Sequence, residues 1–429
     1  MSKLYENAVC LAPMVRAGTL PLRLLSLRYG ADLVYTEEII DKKIIATERI
    51  ENPILNTVDF VSVKDRDSVV FRTSKEEKDR VVFQIGTSDP ILALKAAQKV
   101  AKDVAAIDIN MGCPKHFSIQ GGMGAALLKT PQLAFDIIKN LKHNLQIPVS
   151  CKIRVLENTN ATIDFVRRME QAGADAIGVH GRETHQRPED AASWDSIKPI
   201  VSAVSVPILA NGDLFTQIDI TKCREQTGVN SFLIARGALS NPSIFRKEGM
   251  LSQSEVVKEY LKVAADTDNV FQNTKYTAAR MLPTKCNEKW SNTPPQKEVC
   301  NVTIPMLGAT KNNEQLFALW DLQKYYQQRQ IEFQNKAETC ASHTVVSQSC
   351  GVKMDQPQYN DSFIYRQDLY CHTCGIQLLS EIDVALHVKG KKHKRKERAI
   401  SAATKSAKYL QLIDSHHPEK RRKQNEESA

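Results

Sequence analysis

At 429 residues, with 42% hydrophobic and 25% charged residues, the chain is long enough for two or three domains with ordinary globular cores. Its apolar runs are strand-sized, short of the ~20 residues a membrane helix needs. The opening MSKLYENAVC has neither the apolar region of a secretory signal nor the arginines of a mitochondrial presequence, so a soluble intracellular protein, cytoplasmic, nuclear or both, is expected. A monomer without membrane contact is the expected state. The charge is localised: residues 389–429 hold 13 Lys/Arg against 5 Asp/Glu, a net of +8, while the whole chain carries +9. A basic tail on a near-neutral body is either a solvated end or a phosphate-binding arm. The ten cysteines form no compact framework; Cys10, Cys113, Cys151 and Cys223 are scattered like reduced thiols, and Cys371 and Cys374 alone are spaced like partners.

In chain order, eight short apolar strands are expected at Ala8–Pro13, Leu33–Thr36, Val81–Ile85, Ala105–Ile109, Val149–Val155, Ala176–His180, Pro207–Ala210 and Phe232–Ala235. Between most of them lie stretches with apolar residues at three-to-four spacing, such as 91–102, 132–144 and 160–172, the period of amphipathic helices. Eight βα units in about 240 residues match a (β/α)8 TIM barrel. The competing doubly wound sheet would carry Gly-x-Gly-x-x-Gly after its first strand, where this chain has APMVRAGTLP. The long polar interval 37–80 predicts an insertion or hairpin. Beyond the barrel, 1–250, a small helical domain is expected over 251–335, with helices at 253–266 and 312–334 and an irregular middle, PTKCNEKWSNTPPQKEVC. A polar linker, 336–366, a compact module, 367–398, and a disordered basic tail, 399–429, complete the chain.

Polar and glycine-rich groups follow seven of the eight strands, where α/β barrels place their chemistry. The fourth strand runs into Asn110-Met111-Gly112-Cys113-Pro114 and then Gly121, Gly122 and Gly124, which sets a thiol on a loop at the barrel mouth; a lone cysteine is otherwise a small buried hydrophobe. On the fifth strand the two-residue repeat puts Lys152 and Arg154 on one face and Cys151, Ile153 and Val155 on the other. With the apolar face toward the helices, two cations point inward and demand either an anionic ligand or a salt bridge such as one from Lys152 to Asp108. Asn211-Gly212-Asp213 and Ala235-Arg236-Gly237 after the seventh and eighth strands suit a phosphate, and with Gln84 and Lys152 they suggest a phosphorylated planar cofactor across the mouth.

The motifs LAPMVRAGTLPLRLL, VVFQIGTSD, DINMGCPK, GGMGAALL, CKIR, VHGR, ANGD and NPSIF together resemble the tRNA dihydrouridine synthase family over residues 4–280, and within it the eukaryotic enzymes of position 20. That resemblance implies an FMN enzyme, reduced by NADPH, that saturates the C5–C6 bond of a tRNA uridine. It implies FMN contacts from Pro13, Met14, Val15, Gln84, Lys152, His180, Asn211, Gly212, Asp213, Ala235 and Arg236, with Cys113 as the general acid. Asn110, Lys115 and Arg154 are the expected holders of the uracil and its ribose-phosphate. A thiol with an ordinary pKa near 8.5 is mostly protonated at neutral pH, as a proton donor must be. A uridine in a folded tRNA must leave its stack to reach such a site. The resemblance makes 251–335 part of a tRNA cradle, although 283–310 departs from the family pattern. A free-pyrimidine FMN barrel of the dihydroorotate dehydrogenase kind would not need the cysteine loop or a basic tail.

A second motif, Cys371-x2-Cys374-x12-His387-x5-His393, has the spacing of a tetrahedral Zn2+ site. Its sequence, YCHTCGIQLLSEIDVALHVKGKKHKRK, resembles matrin- or U1-type fingers, and His372 between the cysteines is not expected to be a ligand. Animal enzymes of the position-20 type usually end in a double-stranded RNA-binding domain, for which this chain shows no counterpart. The finger and tail are expected to replace it on the A-form stem of tRNA, or else to bind protein. KGKKHKRKER and PEKRRK also match nuclear import signals. The alternative overall is a zinc-finger RNA-binding protein whose barrel is catalytically inactive.

Overall fold

The computed structural model describes residues 3–282, 301–340 and 369–401 apart from Gly375, Leu379 and Ser380. The irregular stretch 283–300, the linker from 341 and the tail from 402, all singled out above, lie outside the described residues. The described residues fall into two compact units, one up to Cys340 and one from Leu369.

The strands of the first unit are β1 (Val9–Leu11), β2 (Leu33–Tyr35), β3 (Ile39–Ile40), β4 (Thr47–Asn52), β5 (Thr57–Ser62), β6 (Val69–Ser74), β7 (Val81–Gly86), β8 (Ala106–Met111), β9 (Val149–Arg154), β10 (Ala176–His180), β11 (Ile208–Asn211) and β12 (Ser231–Ile234). Strands β1, β2, β7, β8, β9, β10, β11 and β12 pair in parallel in that order, and β12 returns to β1 through Val9–Phe232, Cys10–Leu233 and Leu11–Ile234. This is the (β/α)8 barrel expected from the sequence, each strand within two residues of its predicted bounds. Helices Pro90–Val100, Pro131–Asn144 and Thr159–Gln171 connect strands as their apolar period requires. Asp89 and Asn158 start the first and third by accepting the orphan N–H groups of their first turns.

The barrel's lower interior is filled by Tyr5, Cys10, Tyr35, Val82, Leu209 and Leu233, all buried, with Tyr5 brought in by the 3-10 turn Lys3–Tyr5. Small residues at Ala8, Ala12, Ala106 and Ala176 make room for the two tyrosine rings. The interval 37–80 holds β3, which pairs with β7, and a three-stranded antiparallel sheet, β4-β5-β6. Two buried bidentate ion pairs fix it: Arg23 to Glu77 at 2.7 and 2.8 Å, and Arg72 to Asp59 at 2.6 and 2.7 Å.

Helix Gln253–Asp266 begins in a Ser252/Glu255 capping box and packs on helix Leu20–Arg28. Arg72 reaches its end, donating to the Thr267 carbonyl at 3.0 Å. Helices Phe271–Met281, Ile304–Ala309, Asn313–Ala318 and Gln323–Thr339 follow. The single helix expected over 312–334 is two, because the chain turns at Asp321 with φ +59°, a left-handed conformation that a continuing helix cannot hold. Among the described residues no helix is long and apolar enough to cross a membrane.

In the second unit β13 (Tyr370–Cys371) pairs antiparallel with β14 (Ile376–Gln377), and helix Glu381–Lys389 follows. After Gly390 the chain is helical again over 391–401.

Candidate active site

The C-terminal ends of the barrel strands carry a continuous polar layer. Its deepest part is a hydrogen-bonded chain on the inward faces of β7, β8 and β9. Tyr5 Oη donates to Ser150 Oγ at 3.2 Å, and Ser150 Oγ donates to Asp108 Oδ1 at 2.7 Å. Gln84 Nε2 donates to Asp108 Oδ2 at 2.8 Å, and Asn110 Nδ2 donates to Gln84 Oε1 at 3.0 Å. Asn110 Oδ1 then accepts the backbone N–H of Gly112 and of Cys113, at 3.1 and 2.9 Å. Asn110, expected to hold substrate, therefore has its amide engaged in shaping the cysteine loop. Gln84 has one N–H left for a ligand.

Asp108 is 1% exposed, and burial pushes its carboxyl up to about 6, against the hydrogen bonds from Gln84 and Ser150 and the nearby Lys152 charge. An acid whose pKa rises on folding stabilises the fold fully below its unfolded value, and that contribution is lost as pH climbs through the folded one. Asp108→Asn keeps the hydrogen bonds, since the Ser150 and Tyr5 hydroxyls can reverse. The variant is expected to gain about 1–3 kcal/mol relative to wild type between pH 4 and pH 7.5. Thermal melts of both proteins at the two pH values measure this, and a difference independent of pH would contradict it.

Ser150, Lys152 and Arg154 share the inward face of β9, as the alternation predicts. The lysine stem runs inside the barrel against Gly178 of β10, where a Cβ would lie 3.2 Å from Lys152 Cγ and 2.7 Å from Leu233 Cδ1. No described residue makes a hydrogen bond or ion pair with the Lys152 ammonium group, and the salt bridge to Asp108 weighed above is not formed. Burial, helped by the Arg154 charge, brings its pKa down to about 8, so it is still a cation at neutral pH. Arg154 is likewise lowered, to about 10, chiefly by burial; it donates to the Glu183 carbonyl at 2.8 Å and, among the described residues, forms no ion pair with a carboxylate.

Across the mouth, Asp213 binds two guanidinium groups. Arg182 Nη2 donates to its two oxygens at 2.7 and 2.6 Å, Arg236 Nη2 to Oδ1 at 2.6 Å, and the Ala192 N–H to Oδ2 at 2.7 Å. The Asp213 carboxylate thus organises neighbouring residues. Gly212 has φ +125°, and a Cβ there would lie 2.6 Å from that of Ala192, so neighbouring protein atoms alone require glycine. Asn211 Nδ2 donates to the Leu233 carbonyl at 2.7 Å. Ala235 leads into the short helix Arg236–Ser240, and the Arg236 guanidinium lies 5.3 Å from the Phe215 ring centre.

His180 Nε2 lies 3.3 Å from Arg182 Nη1, which can only donate, so Nε2 accepts and Nδ1 carries the ring proton. Burial, and then the charges of Lys152, Arg154, Arg182 and Arg236, hold its pKa well below the usual value and keep the ring neutral. Pro13, Met14 and Val15 form the turn after β1, with Met14 O accepting from Ala17 and Gly18. Lys115 is exposed on the cysteine loop.

Cys113 is half-buried beside Lys152 and Arg154, and burial, then the Glu38 charge, push its thiol up to about 12. Glu38, Ser118 and Arg182 were not among the expected site residues. The signals for them were present, in a carboxylate pair directly after the second strand and an arginine two residues past His180. Their partners, far away in sequence, were not legible.

In the second unit the four expected zinc ligands converge. His393 Nδ1 lies 3.4 Å from Cys371 Sγ, 3.5 Å from Cys374 Sγ and 3.1 Å from His387 Nε2, with all four ligand atoms within 4.8 Å of one another. His372 is outside this group, its ring 5.0 Å from that of Tyr370.

The first unit is a (β/α)8 barrel whose mouth presents a protonated thiol and an unpaired lysine. The dihydrouridine synthase (Dus) family model matches residues 10–290, and the chain belongs to that family. A Schizosaccharomyces pombe protein named tRNA-dihydrouridine(20) synthase is 45% identical over 288 residues, 65% of this chain and 60% of the yeast protein. A Saccharomyces cerevisiae protein of the same name is 40% identical over 301 residues, 66% of this chain and 78% of its own length. A mouse protein named tRNA-dihydrouridine(20a/20b) synthase-like is 36% identical over 241 residues, 55% of this chain and 68% of its own length.

Proposed function

We propose that the chain is an FMN-dependent tRNA-dihydrouridine synthase that reduces the C5–C6 bond of uridine at position 20 in the D-loop, with NADPH as reductant. Family membership and the names of the two yeast relatives support the reaction and the position. The observation that carries it is the half-buried Lys152, without a hydrogen-bond or ion-pair partner among the described residues, at the same mouth as Cys113. A cation held inside a barrel without a protein partner fits a bound electron-rich or anionic group.

FMN, when bound, supplies the hydride that goes to C6. Lys152, the remaining N–H of Gln84 and the protonated Nδ1 of His180 are the donors positioned for the cofactor, with Arg236 on the phosphate side. Asn211 and Asp213 hold the surrounding loops. Cys113 gives its proton to C5 and is left as thiolate, and Arg154 and Lys115 hold the nucleotide. Purified full-length protein incubated with an unmodified tRNA transcript, FMN and NADPH should form dihydrouridine, read by mass spectrometry. Absence of both flavin binding and product would favour the inactive-barrel RNA-binding protein.

The second unit we propose to be a structural zinc finger that, with its basic extension, grips the A-form stem of the tRNA. Zn–S lengths of about 2.3 Å and Zn–N of about 2.0–2.1 Å give tetrahedral edges of roughly 3.3–3.8 Å. Two separations from His393 Nδ1, 3.4 and 3.5 Å to the cysteine sulfurs, fall on such edges, and the third, 3.1 Å to His387 Nε2, is slightly shorter. Lys391, Lys392, Lys394 and Arg395 are exposed on the following helix, suited to phosphates. Chelation of the full-length protein should release one zinc per chain, speed hydrogen exchange over 369–401 and raise the tRNA KM several-fold, with the barrel's melting unchanged. Native protein without zinc by mass spectrometry would contradict the metal; an unchanged KM would contradict the RNA role and favour a protein partner.

A further inference from the structure

We propose that Glu38 is the positioning residue of the Cys113 proton: its carboxylate accepts the thiol S–H, aims it, and keeps the proton on sulfur until substrate takes it. The inference rests on the proposed role of Cys113 as the acid.

Glu38 lies between β2 and β3 at the barrel mouth, and its carboxyl is reached from two sides of the cysteine loop. Ser118 Oγ donates to Oε1 at 3.0 Å, and the Cys113 thiol is near enough to feel the charge of the same carboxyl. Below it, a Cβ at Gly86 of β7 would lie 2.8 Å from Oε1, so the carboxyl fills the space that glycine leaves. Oε2 is buried with no hydrogen-bond partner, and among the described residues no cation forms an ion pair with Glu38. Two buried carboxylates elsewhere in this unit, Glu77 and Asp59, each meet an arginine bidentately, whereas Glu38, like Asp108, has no ion pair among the described residues. A carboxyl with one oxygen buried and unpartnered, and no ion pair among the described residues, is expensive as scaffolding.

Electrostatics explain what it does there. Lys152 and Arg154 face Cys113 from β9, and both would favour the thiolate, as cations beside a cysteine do. A thiolate cannot serve as an acid. Glu38 supplies the opposing charge, so one mouth can bind an anion on its lysine and still hold a protonated sulfur. When Cys113 gives its proton to C5, the S–H bond breaks and a C–H bond forms. The thiolate then stands beside the Glu38 carboxylate, and their repulsion favours uptake of a proton from solvent before the next turnover.

The test reads the thiol directly. Full-length wild type and Glu38→Gln are alkylated with iodoacetamide across pH 7–10, and modification of the Cys113 peptide is followed by mass spectrometry. Loss of the neighbouring charge should make the thiol more acidic by at least about one pH unit, read as a roughly tenfold faster alkylation at each pH between 8 and 10. The same variant should lose tRNA-reducing kcat with KM little changed. Should Glu38→Gln unfold early, Glu38→Asp, with a carboxylate drawn back by one methylene, should give an intermediate rate. Profiles identical to wild type in the folded variant would overturn the assignment. A shifted profile in a protein whose wild type makes no dihydrouridine would instead leave the Glu38–Cys113 coupling standing and remove the proposed reaction.

Discussion

Asp213→Ala is expected to destabilise the barrel by about 3–5 kcal/mol, the cost typical of breaking a buried ion pair by removing one partner. Arg182 is the reason. Its side chain is 3% exposed, and its guanidinium divides itself between the Asp190 carbonyl at 2.6 Å and the two Asp213 oxygens. Without the carboxylate a buried cation faces Arg236, another cation, with nothing between them. The Ala192 N–H loses its acceptor as well, which frees the loop after β10. For a domain of this size the melting temperature should fall by roughly 10 °C. Circular dichroism melts measure the loss, and a fall of less than about 2 °C would show that solvent compensates Arg182 and that the carboxylate is not structural.

Cys113→Ala should lower turnover of tRNA by about 10^2- to 10^4-fold, the range over which positioned acids contribute. The sulfur is held by a loop whose N–H groups bond to Asn110 and whose Cys113 carbonyl accepts from Ala125, and none of these bonds uses the side chain. Melting and FMN binding should therefore stay near wild type. Cys113→Ser keeps a proton donor of much weaker acidity and should fall between the two. Full activity in the alanine variant would mean that water or another group protonates C5.

Much of the barrel was legible because its rules are local. Alternation on 149–154 alone puts Lys152 and Arg154 inside, and the helix period of 160–172 alone puts Phe165 and Val166 against the sheet. The spacing of Cys371, Cys374, His387 and His393 similarly brought out a cluster that the fold assembles. What remained hidden depends on which loops meet across the mouth. Arg182 finds Asp213 across 31 residues, and Ser118 finds Glu38 across 80. Neither distance is encoded in a period. For the same reason Asn110 and Asp213 could be placed at the site without revealing that their polar atoms serve the protein's own loops. The break at Asp321 turns on one backbone angle, which a continuous helical pattern conceals.

Mapping dihydrouridine in tRNA from cells lacking this gene, rescued with wild type or with Cys113→Ala, tests the central claim most directly. The account predicts loss at position 20 alone, restored by wild type and not by the alanine variant. Full modification at position 20 in the deleted cells, or its restoration by the alanine variant, would contradict it.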